Sequence, residues 1–276
     1  MKNSNNVSKE AIQEVISCIH EACMKAKADF YLIGARAKDF WFTANKIDPR
    51  RFTMDIDFAV LVPSMRTFDK IIKILSEKYG FKSIEKIPHR IIFIKYDLVI
   101  DILPFGGVEK AGYINFNDKF DTKISILGFQ EVYENAVSAN ISGEEVKVAS
   151  LPGLCILKLI AWSDKPIERE KDIQDISNII QHFFDIESEE IYKKHLDLFE
   201  NDDFDTINAG ARVLGRQINE ILTGSEKVKK LIIEILEPNV QDTENSVIGI
   251  IIAKDSGITV EKAVLILKEL LNGLND

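Results

Sequence analysis

Cysteine is scarce in this chain of 276 residues: there are three, Cys18, Cys23 and Cys155, too few and too scattered for a zinc cluster. The odd number also argues against a disulfide framework, and so for a reducing compartment over secretion. Proline, at seven, and glycine, at 14, stay at or below ordinary globular usage, which excludes collagen-like and low-complexity chains. The four histidines, His20, His89, His182 and His195, show no metal-ligand spacing. Long apolar runs are missing, since the run 247–253 falls far short of the ~18 residues that a membrane span needs. The segment MKNSNNVSKE lacks the charged-then-apolar build of a secretion signal. Positive charge is in deficit too, with 35 Lys and Arg against 44 Asp and Glu, a net of −9. Proteins that wrap nucleic acid draw affinity from Lys and Arg density, so that class is excluded; a local basic patch on one RNA end is not. A soluble, cytoplasmic protein with no membrane association is expected.

What is present is an ordinary globular mixture, 46% hydrophobic and 29% charged, in a length suited to one large domain or two modest ones. Ile12, Val15, Ile16, Ile19 and Cys23 recur at helical spacing and predict a helix over 8–27. Phe30–Ile33 predicts a strand stopped by Gly34, with a helix over 35–43. Met54–Val62 predicts a second strand ended by Pro63, followed by a helix over 65–78 that closes at Gly80. Further strands are expected at 81–84, 90–94 and 98–103, the last ended by Pro104, and a hairpin of 131–141 with 144–149 around Ser142-Gly143. After residue 150 the period is helical, with helices expected at 151–162, 168–184, 205–222, 225–236, 245–254 and 259–271. The stretch 185–205 holds nine acids against two lysines and reads as a solvated linker. The fold class expected is α+β: a mixed sheet with flanking helices over residues 1–150, then a helical region over 151–276.

The chemistry concentrates in Arg51-Phe52-Thr53-Met54-Asp55-Ile56-Asp57-Phe58. Alternate side chains of a strand share a face, so Asp55 and Asp57 point together while Ile56 and Phe58 point away. Two ionised carboxylates repel one another unless a cation joins them, and a hard divalent ion with oxygen ligands resolves the conflict. Asp101 stands alone among the apolar residues of its strand. If that strand neighbours the first, three carboxylates converge as in two-metal phosphoryl-transfer sites. Upstream, Gly34 marks a strand-to-helix turn whose backbone N–H groups can point at an anion, and Arg36 adds a donor fork suited to phosphate. The plain alternatives are amphipathic strands with acids facing water and an ordinary glycine turn.

Taken together, Gly34-Ala35-Arg36-Ala37, Arg51-x-Thr53-x-Asp55-Ile56-Asp57 and the later Asp101 resemble the nucleotidyltransferase superfamily that includes DNA polymerase β. The likeness is closer to the bacterial AbiEii-type and related predicted nucleotidyltransferases, whose helical half carries a lysine in an apolar helix and then an Arg/Lys-Asp-x-x-Asp segment. Here Leu154–Trp162 with Lys158, and Arg169–Ile176 with Asp172 and Asp175, match it, so the resemblance covers about residues 28–183. It implies a metal-dependent transfer of NMP from a nucleoside triphosphate to an acceptor hydroxyl. Asp55, Asp57 and Asp101 would bind Mg²⁺ or Mn²⁺; Gly34, Ala35, Arg36, Arg51, Thr53 and Lys158 would contact the nucleotide; Asp172 would orient the acceptor. Residues 1–150 would be the catalytic domain and 151–276 a helical domain completing the nucleotide cleft. The acceptor would be RNA, a protein or a small molecule, and the AbiEii likeness favours RNA or protein, with an antitoxin protein as a further partner. One departure is plain: the superfamily has Gly-Ser or Gly-Gly where this chain has Gly34-Ala35, so a hydroxyl for the triphosphate is missing and Arg36 is placed to compensate. Two alternatives stay open, a catalytically silent nucleotide-binding module and an aminoglycoside adenylyltransferase. Lys158 has a bland reading as a snorkelling side chain, and Asp172 one as a helix N-terminal acid.

Overall fold

The computed structural model describes residues 7–49, 55–116, 122–200 and 204–276. The chain divides into two compact units, Met1–Ser150 and Leu151–Asp276. The fold is α+β, a mixed sheet with flanking helices followed by helices.

In the first unit α1 (Lys9–Ala26) starts at Ser8, whose hydroxyl accepts a hydrogen bond from the Ala11 N–H, and buries Val15, Ile16, Ile19 and Cys23 along one stripe. Then come β1 (Asp29–Ile33), α2 (Gly34–Ala44), β2 (Ile56–Val62), α3 (Met65–Tyr79), β3 (Phe81–Ile84), β4 (Ile87–Phe93) and β5 (Leu98–Gly106). After these follow β6 (Tyr113–Asn115), β7 (Lys123–Ser125), α4 (Phe129–Glu134), β8 (Val137–Ile141) and β9 (Glu144–Val148). Seven strands form one sheet in the order β3-β4-β5-β2-β1-β9-β8. β2 lies at its centre, antiparallel to β1 and parallel to β5.

The two faces of β2 differ. Phe58 and Val60 are fully buried, and Phe58 meets the edge of Phe30 with ring centres 5.8 Å apart. The opposite face carries Asp57 at one end and, further along, the aromatic cluster of Tyr31, Phe105, Phe129 and Tyr133. Tyr31 donates from its hydroxyl to the Phe129 carbonyl at 3.0 Å, which ties α4 to the sheet.

The first unit departs from expectation in three places. Residues 129–134 form α4 where a strand from 131 was expected. Gly128 enters it at φ 83°, and Phe129 and Val132, three apart, bury one face. β5 runs past Pro104 to Gly106, because β4 pairs only with residues 98–101 and leaves the missing proline N–H at an unpaired edge. The hairpin of β6 and β7 was not anticipated at all.

The second unit is helical throughout its described residues: α5 (Leu151–Asp164), α6 (Glu170–Ile186), α7 (Ser188–Lys194), a short 3₁₀ turn (Leu196–Phe199), α8 (Thr206–Ile221), α9 (Glu226–Gln241), α10 (Val247–Ser256) and α11 (Val260–Asn275). α5 is apolar on nearly every side and accordingly buried. The acidic stretch after 185 is not a plain linker. Tyr192, Phe199 and Phe204 stack in sequence, at 5.1 and 4.9 Å between ring centres, and hold α7 and the 3₁₀ turn together.

Candidate active site

The register of the sheet builds the site. Ile33 of β1 stands opposite Asp57 of β2, Asp57 opposite Asp101 of β5, and Asp101 opposite Arg90 of β4. Residues paired in this way share a face, so one row across the strands carries Asp57, Asp101 and Arg90 side by side. Asp55 precedes β2 by one residue and adds its carboxylate at the same end.

Arg90 is the cation among these acids. It donates from Nε to Asp101 Oδ1 and from Nη2 to Asp101 Oδ2, both at 2.7 Å, and Nη2 lies 3.8 Å from Asp55 Oδ2. Its side chain is 31% exposed against 14% for Asp101, so the pair sits at the rim of the sheet and not in its core. The hydrogen bonds to Asp101 outweigh partial burial and raise the guanidinium pKa above its ordinary range. Arg90 is absent from the candidates that the sequence offers. The signal was available, since a hairpin turning at 95–97 sets residue 90 against 101.

Gly34 closes the row at the end of β1. Its φ is +69°, and a Cβ built there would lie 1.9 Å from Asp57 Oδ2. Glycine is therefore required both by the left-handed backbone and by the approach of the Asp57 carboxylate to the bare Cα. α2 starts at this residue, and its N-cap Ile33 makes no side-chain capping hydrogen bond to the first N–H groups of the helix. Arg36, in the first turn of α2, has a buried Nε without a hydrogen-bond partner among the described residues. Burial lowers its pKa, with Asp39 opposing. Beside it, Lys38 and Asp39 are both buried, charges the sequence reading passed over. Arg51 and Thr53 lie outside the described residues.

Lys158 and Asp172 belong to a cluster within the second unit. Lys158 on α5 donates to Asp172 Oδ1 at 2.9 Å and to Asp175 Oδ2 at 2.8 Å, both on α6. Arg169 adds a 3.1 Å contact to the other oxygen of Asp172. The Lys158 side chain is 8% exposed and that of Asp175 4%, so the ammonium does not snorkel to water. Burial works against its charge, but the two carboxylates outweigh burial and hold its pKa above the usual lysine value. In the sequence Asp175 stands only as the second acid of the Asp-x-x-Asp segment; its pairing with a lysine on another helix leaves no mark there.

As the side chains stand, no group of three or more His, Cys, Asp or Glu among the described residues has the spacing of a metal cluster. The donor set nevertheless fits a hard divalent cation. Asp55, Asp57 and Asp101 offer only carboxylate oxygens, and three negative charges against Arg90 leave a formal balance of two negative. Asp57 is also held beside a backbone cradle that any larger residue than glycine would fill. No helix among the described residues is long and apolar enough to cross a membrane.

Comparison with known proteins adds a family. No curated protein matches the chain. Among solved structures, the solution structure of the antibiotic-resistance factor ANT(2'')-Ia is similar at 15% identity over 56% of this chain and 74% of that one, with a TM-score of 0.36. The crystal structure of an antigenic nucleotidyltransferase-like protein from Paracoccidioides brasiliensis is similar at 14% identity over 74% and 94%, with a TM-score of 0.43. A tRNA-processing enzyme in an apo form is similar at 12% identity over 96% and 79%, with a TM-score of 0.33. The sequence model of a family described as "Nucleotidyl transferase AbiEii toxin, Type IV TA system" matches residues 40–239. That range omits Gly34 and Arg36 but takes in Asp55, Asp57, Arg90, Asp101, Lys158 and Asp172. Spanning well over half of the 276 residues, it places this chain in the AbiEii nucleotidyltransferase family.

Proposed function

We propose that this protein transfers a nucleoside monophosphate from a nucleoside triphosphate to an acceptor hydroxyl: the hydroxyl oxygen bonds to the α-phosphorus and loses its proton, the bond from the α-phosphorus to the bridging oxygen breaks, and pyrophosphate leaves. The observation that carries the reading is the single row in which Asp57, Asp101 and Arg90 adjoin, with Gly34 against Asp57 and α2 opening uncapped beside it. Asp55, Asp57 and Asp101 would hold Mg²⁺ or Mn²⁺, which supplies neutralisation of phosphate charge and orientation of the reacting oxygens. The chain's own part is positioning, as in phosphoryl transfer generally. The N–H groups of Gly34 and Ala35 at the start of α2, and the Arg36 Nε that has no partner among the described residues, would receive the triphosphate. By family resemblance Arg51 and Thr53 contact the same nucleotide, Lys158 steadies the triphosphate and Asp172 orients the acceptor. The AbiEii relationship favours an RNA or protein acceptor, a role as the toxin of a toxin–antitoxin pair and an antitoxin partner, while the few, scattered cysteines favour a cytoplasmic setting.

The test is label transfer from each α-labelled NTP, with Mg²⁺ and RNA, protein or aminoglycoside acceptors, beside an Asp55→Asn/Asp57→Asn variant. Transfer by the wild type alone supports the proposal, and the acceptor that takes the label names the class. Equal transfer by both proteins, or none by either, overturns it. A second reading, a nucleotide-binding module without transferase activity, is favoured by one observation: Arg90 occupies both oxygens of Asp101. It predicts saturable NTP binding with no label moved to any acceptor.

A further inference from the structure

We propose that Arg90 is the resident counter-cation of the carboxylate trio, holding Asp101 while no divalent ion is bound and releasing it when one enters, so that it sets the ion concentration at which the site loads. The inference rests on the metal-dependent reading above and extends it to a residue outside the ligand set.

Geometry is the first support. Arg90 lies directly across the β4–β5 hairpin from Asp101, and its fork takes both carboxylate oxygens at 2.7 Å. The same Nη2 stands 3.8 Å from Asp55, so a single guanidinium answers two acids of the trio. Charge is the second. Three carboxylates gathered at one end of a sheet repel each other, and a chain that must fold before it meets an ion needs a cation of its own there. The third support is incompatibility. A guanidinium stays protonated at any working pH, so it cannot yield to an incoming ion by losing its proton. Sharing the Asp101 oxygens at contact distance would set like charges against each other, and the side chain has to move instead. Its partial exposure gives it water to move into. A purely structural strut makes the opposite prediction: without Arg90 the Asp101 carboxylate loses its orientation and the ion binds less tightly.

The two accounts separate on the sign of one measurement. Mn²⁺ affinity is measured by electron paramagnetic resonance and calorimetry on the full chain for the wild type, Arg90→Gln, Arg90→Lys and Asp55→Asn/Asp57→Asn. Removing the competing charge should tighten Mn²⁺ binding by Arg90→Gln at least ~10-fold, equivalent to about 1.4 kcal/mol. Arg90→Lys, which keeps the charge, should stay close to the wild type. Unchanged or weaker binding by Arg90→Gln overturns the inference while leaving the metal reading intact. Absence of saturable binding in every protein overturns both. Because Arg90→Gln leaves a half-buried carboxylate without its partner and could unfold, a second measurement uses the wild type alone. The Arg90 Nε–H resonance should shift and lose its protection from solvent exchange as Mg²⁺ saturates the site; a resonance that stays put overturns the inference.

Discussion

Replacing Gly34 by alanine makes two separable demands on the fold, and a control glycine exists for one of them. Gly34 has φ +69° with Asp57 Oδ2, Cγ and Cβ at 1.9, 2.8 and 3.0 Å from a built Cβ, whereas Gly80 has φ +72° with nothing within 4 Å. Gly80→Ala therefore meets backbone strain alone, about 1–2 kcal/mol for an L-residue held in the left-handed region. For a unit of this size that lowers the melting temperature by roughly 2–4 °C per kcal/mol. Gly34→Ala meets the same strain and a collision as well. The shortfall from an ordinary contact of ~3.5 Å is about 1.6 Å, and most of it falls on the Asp57 carboxylate. Misplacement of a reacting group by ~1 Å can cost ~100-fold in rate. Calorimetric melts of both variants and single-turnover label transfer under saturating Mg²⁺ make the comparison. The expected result is a modest loss of stability in both, with transfer near wild type for Gly80→Ala and down ~100-fold for Gly34→Ala. Wild-type transfer by Gly34→Ala, or an equal loss in Gly80→Ala, would refute the link between the glycine and the carboxylate.

Lys158→Met should destabilise the second unit by ~3–5 kcal/mol in guanidinium titrations, because it leaves Asp172 and Asp175 without their shared cation in a dry site; a loss below ~1 kcal/mol contradicts that. Since the folded pKa of Lys158 is raised, its contribution is fully present below the ordinary lysine value of about 10.4 and is lost only as pH rises through the higher folded value. Melting temperatures of the wild type against Lys158→Met should therefore differ by the same amount at pH 7 and pH 9. Arg36→Gln should raise the KM for nucleotide ~10-fold with little change in stability, since it removes a half-buried charge whose Nε has no hydrogen-bond partner among the described residues; an unchanged KM argues against a phosphate contact. The thiols are pushed up by burial, Cys18 to about 11 and Cys23 and Cys155 to about 12, so the native protein should react with a disulfide reagent only slowly and yield all three thiols once denatured. Fast native labelling of Cys155 would show that α5 opens locally.

Much of the site is legible in the chain because strands write their faces into alternation. Asp57, Ala59 and Leu61 alternate with the buried Ile56, Phe58 and Val60, and Asp101 alternates in the same way on β5. Gly34 is legible as a turn but not as the seat of Asp57, since closeness of a backbone to a carboxylate on the next strand leaves no periodic mark. The Arg90–Asp101 pair is half legible: antiparallel register follows from turn position, but the turn at 95–97 contains neither glycine nor proline to announce it. α4 was obscured by Val132 and Tyr133, which favour strands; the helix forms because Phe129 and Val132 find a shared burial site. Between 187 and 200, acids on the surface hide Tyr192 and Phe199, whose stacking orders the segment. The ion triad of Lys158 is not legible, because helical spacing marks neighbours along one helix and its partners sit on the next.

The central position of β2 carries a consequence in time. Its backbone is bonded to β1 on one side and β5 on the other, and Phe58, Ala59 and Val60 have no exposed surface. Amides so placed exchange with solvent only when the whole unit opens, whereas short, exposed segments fray on their own. Hydrogen exchange over residues 57–61 should report the global opening of the first unit. Asp57 therefore keeps its place for as long as the unit stays folded: a mutation that halves the lifetime of the sheet halves the lifetime of the acid row, and one that merely loosens a surface helix leaves it untouched.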